Sequence, residues 1–339
     1  MRSIAKDKIL SFLHFLEEAG SIAITSHVHP DGDAVGSSSA LLSFLTDGLH
    51  ADARIILPEP PADNLAFIIP DHLRGKVFYG PQAAKAAEGE CDLIVCLDCN
   101  GFTRTEALGA YFEASSAKKI LIDHHVSPDS GSFDLVFSET EISSASELLY
   151  HILKGTGRSL PLPCATALMA GMTTDTNNFA NSVYPTTLEM ASDLLSQGVD
   201  RDRILDCLYN RCRENRIRLM GHALQDLLTI TGQGAACMIL RRSDKDRYDV
   251  QEGETEGFVN IPLTIGKVRL SIFLKEEDGL FRVSIRSARG VSARSLAATW
   301  FHGGGHEQAA GGKVLIPDDI PSPDGIDAYI LDILQQFMK

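Results

Sequence analysis

The 339-residue sequence lacks the long hydrophobic run that a membrane-spanning helix needs. Its apolar runs are short and interrupted, as at residues 93–97, whereas a span needs roughly 18 consecutive apolar residues. Residues 1–20 predict an amphipathic helix, but they lack the small-residue cleavage site of an export signal. We therefore expect no membrane partner and a cytoplasmic location.

An excess of basic residues is also missing. The chain has 31 lysines and arginines against 45 acidic residues, which gives a net charge of −14. Proteins that track long nucleic acids usually present a basic surface, because neutralisation of phosphates supplies their affinity. The charge balance therefore argues against long nucleic acid as a partner. Small anionic substrates remain compatible with it, because metal ions and a few arginines can reverse the local field.

Cysteines in a disulfide pattern are absent as well. The seven cysteines are odd in number and scattered, so we expect free thiols in a reducing compartment. Cys96 and Cys99 form a C-x-x-C motif. A redox-active pair of this kind needs to lie at the start of a helix, whereas this motif lies in a predicted buried strand. We interpret these two cysteines as structural.

Strand and helix patterns alternate through the first half of the chain. The predicted strands are residues 22–25, 53–57, 76–79, 92–99 and 119–122. The last two are apolar runs bounded by turn residues, which is typical of strands buried on both faces. Helical patterns lie between the strands. The alternation predicts an α/β domain with a doubly wound, mostly parallel sheet.

The second half changes in character after a helical pattern over residues 185–230. Strand-like segments follow at residues 235–240, 257–261, 268–274 and 280–286. The last two flank Glu277-Asp278-Gly279, which is a hairpin signal. We predict a catalytic α/β domain over residues 1–190, a helical linker over 191–230, and a smaller α/β domain with a mixed sheet over 231–339.

Four clusters of acidic residues and histidines lie in the first half, and three of them directly follow predicted strands. They contain His27, Asp31 and Asp33; Asp98; Asp123, His124 and His125; and Asp175. Ligands of open α/β sheets bind beyond the carboxyl ends of the strands, so these positions predict a site. Three of the clusters also permit a structural explanation, whereas a purely structural role would not need the three ionisable groups of Asp123, His124 and His125. Asp33 or Asp98 could cap the next helix, and Asp175 could lie in a polar loop.

Taken together, the clusters are more specific than any one of them. Two cations about 4 Å apart, which can generate a hydroxide and clamp phosphate oxygens, need several carboxylates and imidazoles as ligands. The sequence supplies enough of them in His27, Asp31, Asp33, Asp98, His124 and Asp175. Carboxylates mixed with imidazoles suit Mn²⁺ more than a site of oxygen ligands alone would.

A glycine-rich segment over residues 303–312 is a fifth candidate. Its glycines expose backbone N–H groups, and a helix starting behind them would favour an anion. His306 lies at the mouth of this segment. Arg286, on the polar face of a predicted strand, strengthens the prediction of a phosphate site.

The segments HPDGDAVGS, LDCN, DHH, TTDTNNF and GGGHEQAAGG, in this order, resemble the motifs of the DHH–DHHA1 phosphoesterases. The branch of nanoRNase/pAp-phosphatase proteins looks most similar, and the resemblance extends from about residue 4 to residue 335. It implies an N-terminal DHH domain and a C-terminal DHHA1 domain. Two positions depart from the usual pattern: His29 stands where the family usually has Asn, and His302 stands where it often has Gly.

The resemblance also implies roles for individual residues. One Mn²⁺ would be held by His27, Asp31 and Asp98. The other would be held by Asp33, Asp98, His124 and Asp175. The catalytic residues would be Asp98 as the bridging ligand, Asp123 orienting the adjoining histidines, His124 and His125. The phosphate of the substrate would be bound across a cleft between the domains by His125, Arg286, Gly304, Gly305 and His306.

The implied reaction is in-line attack by a hydroxide held between the metals on a terminal phosphate or a phosphodiester. The implied substrates are RNA oligonucleotides, from dinucleotides to about pentamers, and 3′-phosphoadenosine 5′-phosphate (pAp). Mg²⁺ and Co²⁺ remain alternatives to Mn²⁺, because all three ions share ligand types. Hydrolysis of cyclic di-AMP or pApA is the nearest alternative function, and a nucleotide-binding regulator is the alternative without catalysis. A homodimer is a candidate assembly.

Overall fold

The chain divides into two structural units, Met1–Arg211 and Cys212–Lys339. A computed structural model describes residues 4–87, 89, 91–251 and 253–338, so residues 1–3 of the predicted first helix lie outside the described part. The division falls within the segment that we predict as a linker, and the limits of that linker stay a prediction. None of the helices among the described residues is long and apolar enough to cross a membrane.

The N-terminal unit is built on a sheet of six strands, all of them parallel to their neighbours. The strands are β1 Ile22–Thr25, β2 Ala53–Leu57, β3 Val77–Tyr79, β4 Leu93–Leu97, β5 Lys118–Asp123 and β6 Leu135–Ser138. Their order across the sheet is β3-β2-β1-β4-β5-β6. The prediction of a doubly wound parallel sheet is confirmed, although the edge strand β6 was not predicted.

Helices surround this sheet. They are α1 Lys6–Glu18, α2 Gly32–Ser43, α3 Pro81–Ala87, α4 Ala107–Ala114, α5 Ala145–Gly155, α6 Leu162–Asp175, α7 Pro185–Ser196 and α8 Arg201–Tyr209. The central strand β4 contributes to a hydrophobic core on each face. Leu93, Val95 and Leu97 lie in one core, and Ile94 and Cys96 lie in the other. Both faces of β4 are therefore buried, which explains why its sequence is continuously apolar.

The strand order places a switch point at the centre of the sheet. The chain runs from β1 outward to β3 and then returns to form β4 on the other side of β1. Loops at the carboxyl ends of β1 and β4 consequently diverge in opposite directions and leave a crevice, where α/β proteins bind ligands. The residues that follow β1, β4 and β5 all open onto this edge of the sheet.

Two helices that carry acidic residues to this edge pack unusually close together. A Cβ atom added to Gly36 of α2 would lie 2.7 Å from the Cα atom of Gly171 in α6. Only glycine allows this approach of one backbone to another. Because Asp33 lies in the first turn of α2 and Asp175 is the last residue of α6, the glycine contact sets how far apart these two carboxylates lie.

The C-terminal unit contains a second six-stranded sheet, in the order β11-β12-β10-β9-β8-β7. Its strands are β7 Thr229–Ile230, β8 Ala235–Leu240, β9 Leu270–Glu277, β10 Leu280–Ser287, β11 Gly304–Gly305 and β12 Ala309–Leu315. Its helices are α9 Glu214–His222, α10 Arg242–Arg247, α11 Ala293–Trp300 and α12 Ile326–Phe337. The β8–β9 pair is parallel and the other described pairs are antiparallel, which confirms the mixed sheet.

Local predictions in this unit had mixed outcomes. The hairpin between β9 and β10 turns at Gly279, whose φ of 73° suits glycine. The predicted strand at residues 257–261 is wrong, because Phe258–Thr264 forms a 3₁₀ helix. Phe258 is buried there and packs edge-on against Phe273 of β9, so the apolar run fills a core and does not extend the sheet.

Candidate metal centre and phosphate site

The loop after β1 positions two aspartates in different ways. Asp31 caps α2: its Oδ1 accepts hydrogen bonds from the backbone N–H groups of Asp33 (3.0 Å) and Ala34 (3.1 Å). The structural alternative considered for Asp33, that of a helix cap, is therefore wrong. Asp33 is 1% exposed, and its carboxylate instead accepts the N–H groups of Ala145 (2.6 Å) and Ser146 (2.9 Å) at the start of α5. Asp33 is thus held in place by the N-terminus of a neighbouring helix.

Asp98 lies at the centre of the acidic cluster, one residue beyond β4. It is 2% exposed, and its φ of 52° is unusual for a residue with a side chain. Its two carboxylate oxygens face different histidines: Oδ2 lies 3.5 Å from Nε2 of His27, and Oδ1 lies 3.3 Å from Nε2 of His124. Asp98 is therefore placed to serve two ligand groups at once.

The first ligand group lies on the β1 side of Asp98. Nε2 of His27 lies 3.9 Å from Oδ1 of Asp31 as well as 3.5 Å from Asp98. The other ring nitrogen of His27, Nδ1, lies 2.7 Å from the backbone oxygen of Val28, to which it can donate its proton. That hydrogen bond assigns the lone pair of the ring to Nε2, on the side of the carboxylates, as a metal-binding histidine requires.

The second ligand group lies on the β5 side of Asp98. Nε2 of His124 lies 3.9 Å from Oδ2 of Asp33 and 3.7 Å from Oδ2 of Asp175. These carboxylates reach His124 from the ends of α2 and α6, the two helices that meet at the glycine contact.

The donor set fits divalent cations. Three groups have ligand atoms within 4.8 Å of one another: Asp98, His124 and His125; His27, Asp31 and Asp98; and Asp33, His124 and Asp175. Oδ1 of Asp98 is buried and faces Nε2 of His124 at 3.3 Å and Nδ1 of His125 at 3.6 Å. A buried carboxylate oxygen in this situation is costly unless a cation is near it.

The protonation equilibria of the cluster also favour positive charge at its centre. Burial opposes protonation of His27, but the hydrogen bond to Asp98 and the charges of Asp31 and Asp98 raise its pKa to about 9. His124 behaves in the same way, and its pKa rises to about 10. Burial, helped by the charge of Asp98, raises the pKa of Asp33 to about 7. In the absence of a cation, protons take the place that a metal would fill.

In the DHH segment, the orientation of His125 is set by a hydrogen bond to Asp123. Asp123 is fully buried at the end of β5, and its Oδ1 accepts a hydrogen bond of 2.7 Å from Nδ1 of His125. The other ring nitrogen, Nε2, is on the opposite side of the imidazole from Asp123. This arrangement agrees with an orienting role for Asp123 towards His125, and the catalytic roles of both residues stay predictions.

A cation beside the cluster was missed at the sequence level. Arg104 donates to Oδ1 of Asn100 (3.4 Å), and Asn100 donates to the backbone oxygen of Val126 (2.8 Å), so the loops after β4 and β5 are joined. The positive charge of Arg104 acts on His27 and works against the rise of its pKa. The signal was present six residues after Asp98, in the segment that follows the LDCN motif.

The glycine-rich segment of the C-terminal unit forms a hairpin, and strand β12 lies behind its first glycines. β11 pairs with β12 through Gly304–Gly311 and Gly305–Ala310. The turn closes with a hydrogen bond of 2.7 Å from the N–H of His306 to the oxygen of Ala309. A Cβ atom on Gly305 would lie 2.6 Å from that same oxygen, which explains the need for glycine.

Arg286 lies next to this hairpin. It is half-buried on β10, directly opposite Ala309 of β12, and its Nη1 donates to the backbone oxygen of Ile285 (2.9 Å). The C-terminal unit therefore gathers the predicted phosphate-binding residues Arg286, Gly304, Gly305 and His306 at one end of its sheet. The six predicted metal ligands gather in the N-terminal unit. That a substrate spans both sets of residues stays a prediction.

Comparison with known proteins adds independent findings. The profile of the DHH family, N-terminal domain, matches residues 21–172, and that of the DHHA1 domain matches residues 221–326. The bifunctional oligoribonuclease and PAP phosphatase NrnA of Bacillus subtilis is 27% identical over 307 residues, which cover 88% of this chain and 91% of that protein. The protein of the same name from Thermus thermophilus is 30% identical over 295 residues, covering 86% and 83%.

A solved structure is similar over the whole chain. It is the crystal structure of an exopolyphosphatase-related protein from Bacteroides fragilis, with 32% sequence identity and a TM-score of 0.92. The match covers 100% of this chain and 98% of that one. Both structural units described above therefore have counterparts in a single solved protein.

Proposed function

Because the chain belongs to the DHH–DHHA1 family of phosphoesterases, we propose that it uses two manganese ions to hydrolyse short RNA oligonucleotides to mononucleotides and pAp to AMP. The observation that carries the proposal is the position of Asp98, whose two oxygens each face a different ligand group. The substrates are those in the names of the two similar proteins that cover most of the chain.

Each residue of the metal centre has a proposed task. His27, Asp31 and Asp98 would hold one ion, and Asp33, Asp98, His124 and Asp175 would hold the other. Two bound cations supply an activated hydroxide and neutralise the charge that develops on phosphate oxygens. The backbone N–H groups of α5 fix Asp33, and Asp123 fixes the ring of His125, so both side chains are held in place before substrate arrives.

Manganese is proposed on the chemistry of the donors. Each ligand group mixes carboxylate oxygens with imidazole nitrogen, a combination that suits Mn²⁺ better than Ca²⁺ or Mg²⁺. Mg²⁺ and Co²⁺ accept the same ligand types, so they remain alternatives to Mn²⁺.

The proposed task of the C-terminal unit is to recognise the substrate. Arg286 offers a planar set of donors that matches phosphate, and the glycine hairpin presents His306 at its exposed tip. A second phosphate group of the substrate would be held there. Both pAp and pApA have two phosphate groups.

The proposal is tested by comparing product release from pAp, 5′-pApA and cyclic di-AMP, each with Mn²⁺ and with a chelator. We expect AMP from pAp and pApA only when Mn²⁺ is present, and little product from the cyclic dinucleotide. A preference for the cyclic substrate would contradict the proposal and support turnover of a second messenger. Tight nucleotide binding without any metal-dependent product would instead support a nucleotide-binding regulator.

Arg104 provides a second test, directed at the N-terminal unit. We propose that Arg104 contacts a phosphate group of the substrate, so we expect Arg104→Ala to raise KM for pAp about tenfold with a smaller change in kcat. Steady-state kinetics of Arg104→Ala and of a control variant measures the change in KM. Arg74→Ala is the matched control, since Arg74 is an exposed arginine of the same unit that pairs with Asp71. Equal KM values for Arg104→Ala and Arg74→Ala would show that Arg104 has no part in substrate binding.

A further inference from the structure

His302 has a hydrogen-bonding partner across the base of the glycine hairpin. It follows the end of α11 and precedes the glycine hairpin, with a left-handed φ of 47°. Its Nε2 lies 3.0 Å and 3.1 Å from the two carboxylate oxygens of Asp319. Asp319 lies beyond the other end of the hairpin, four residues after Leu315, where β12 ends.

Asp319 is itself fixed to the hairpin. Its Oδ2 accepts the backbone N–H of Leu315 at 2.7 Å, and its own N–H donates to the oxygen of Leu315 at 3.0 Å. Its side chain is only 16% exposed, whereas that of His302 is 50% exposed. The hydrogen-bonded pair therefore connects the entry of the hairpin to its exit through a partly buried carboxylate.

The backbone between these two points leaves little free space. A Cβ atom on Gly303 would lie 2.0 Å from the oxygen of Gly311, and one on Gly312 would lie 2.3 Å from the oxygen of Phe301. The N–H of Lys313 donates to that oxygen of Phe301 at 2.6 Å. A shift at position 302 is consequently transmitted along the paired backbone towards the tip of the hairpin.

We propose that His302 and Asp319 form a clamp at the base of the glycine hairpin, which positions Gly304, Gly305 and His306 for phosphate. Both residues are positioning residues that act through the hairpin and do not touch the substrate. The binding part of this proposal rests on the proposed function, and the structural part does not. We expect the clamp to act on substrate affinity and to leave the chemical step, which occurs at the metal centre, unchanged.

Three variants separate the effect of the His302–Asp319 hydrogen bond from the effect of backbone strain. His302→Gly removes the imidazole and tolerates the left-handed backbone, so it tests the pair alone. His302→Asn keeps a side-chain donor and also tolerates that backbone, so it should restore most of the effect. Asp319→Asn removes the charge of the partner. His14→Ala is the matched control, because His14 forms an exposed pair with Glu18 in the N-terminal unit.

The first measurement is hydrogen exchange of the backbone amides of residues 303–306 and 309–312. We expect His302→Gly and Asp319→Asn to accelerate exchange there, and His302→Asn to stay close to the wild type. Unchanged exchange in both disruptive variants would overturn the clamp, whatever the activity. This readout does not depend on any substrate, so it remains decisive even if the wild-type protein hydrolyses no nucleotide and the proposed function fails.

The second measurement is steady-state hydrolysis of pAp. We expect KM to rise roughly three- to fivefold in His302→Gly, the range of a single partly exposed polar contact, with kcat within about twofold of the wild type. The double variant His302→Gly/Asp319→Asn should be no worse than the single ones, because both remove the same interaction. Faster exchange with an unchanged KM would overturn the role of the clamp in substrate binding.

Discussion

Asp98→Asn is expected to lower kcat for pAp by about a thousandfold, which corresponds to about 4 kcal/mol. The amide has the same shape as the carboxylate but lacks the charge that both ligand groups share. Oδ1 faces His124 and Oδ2 faces His27, so a single substitution weakens both groups. Kinetics at saturating Mn²⁺ measures the loss, and elemental analysis counts the bound ions. We expect fewer than two manganese ions for each chain.

Asp134→Asn is the matched control for this variant. Asp134 precedes β6 at the amino edge of the same parallel sheet, opposite the metal centre, and it pairs with Lys118 at 2.7 Å. Its loss should leave turnover and metal content unchanged. Near-normal kcat in Asp98→Asn, with two ions still bound, would show that Asp98 does not bridge the two ligand groups.

The clustering of the candidate metal ligands was predictable because the fold restricts where such residues can lie. Asp98 and His124 follow apolar runs, and a strand buried on both faces has room for a charged side chain only where the strand ends. Parallel strands bring those ends to one edge. The sequence therefore predicted which residues would meet, without showing the distances between them.

Other parts of the molecule depend on contacts between distant segments, and the sequence did not reveal them. The hairpin at Gly304 forms because β11 pairs with β12, whereas the same glycines in isolation suggest a flexible, anion-binding loop. The helix at Phe258–Thr264 is fixed by burial against Phe273. Arg104 lies near His27 only because the loops after β1 and β4 join, through the N–H of Val28 and the oxygen of Arg104.

Gly36→Ala is expected to destabilise the protein, although Gly36 has no side chain that could bind a metal ion or substrate. The new methyl group would lie 2.7 Å from the Cα of Gly171 and 2.9 Å from the oxygen of Ala167, and both atoms belong to the backbone of α6. Backbone of a packed helix cannot move aside as a side chain can, so α2 and α6 must separate. We expect the free energy of unfolding to fall by about 2 kcal/mol, measured by chemical denaturation.

The same variant should also weaken the metal centre, because Asp33 and Asp175 lie at the ends of the two helices that are forced apart. A displacement of about 1 Å can cost roughly a hundredfold in rate, so we expect a loss of at least tenfold that excess Mn²⁺ does not restore. Gly221→Ala is the matched control: Gly221 lies in α9, and nothing is within 4 Å of its added Cβ. There alanine should stabilise the helix by roughly 0.5–1 kcal/mol and leave activity unchanged. If Gly36→Ala behaved like this control, the close approach of α2 and α6 would have no part in holding the two carboxylates together.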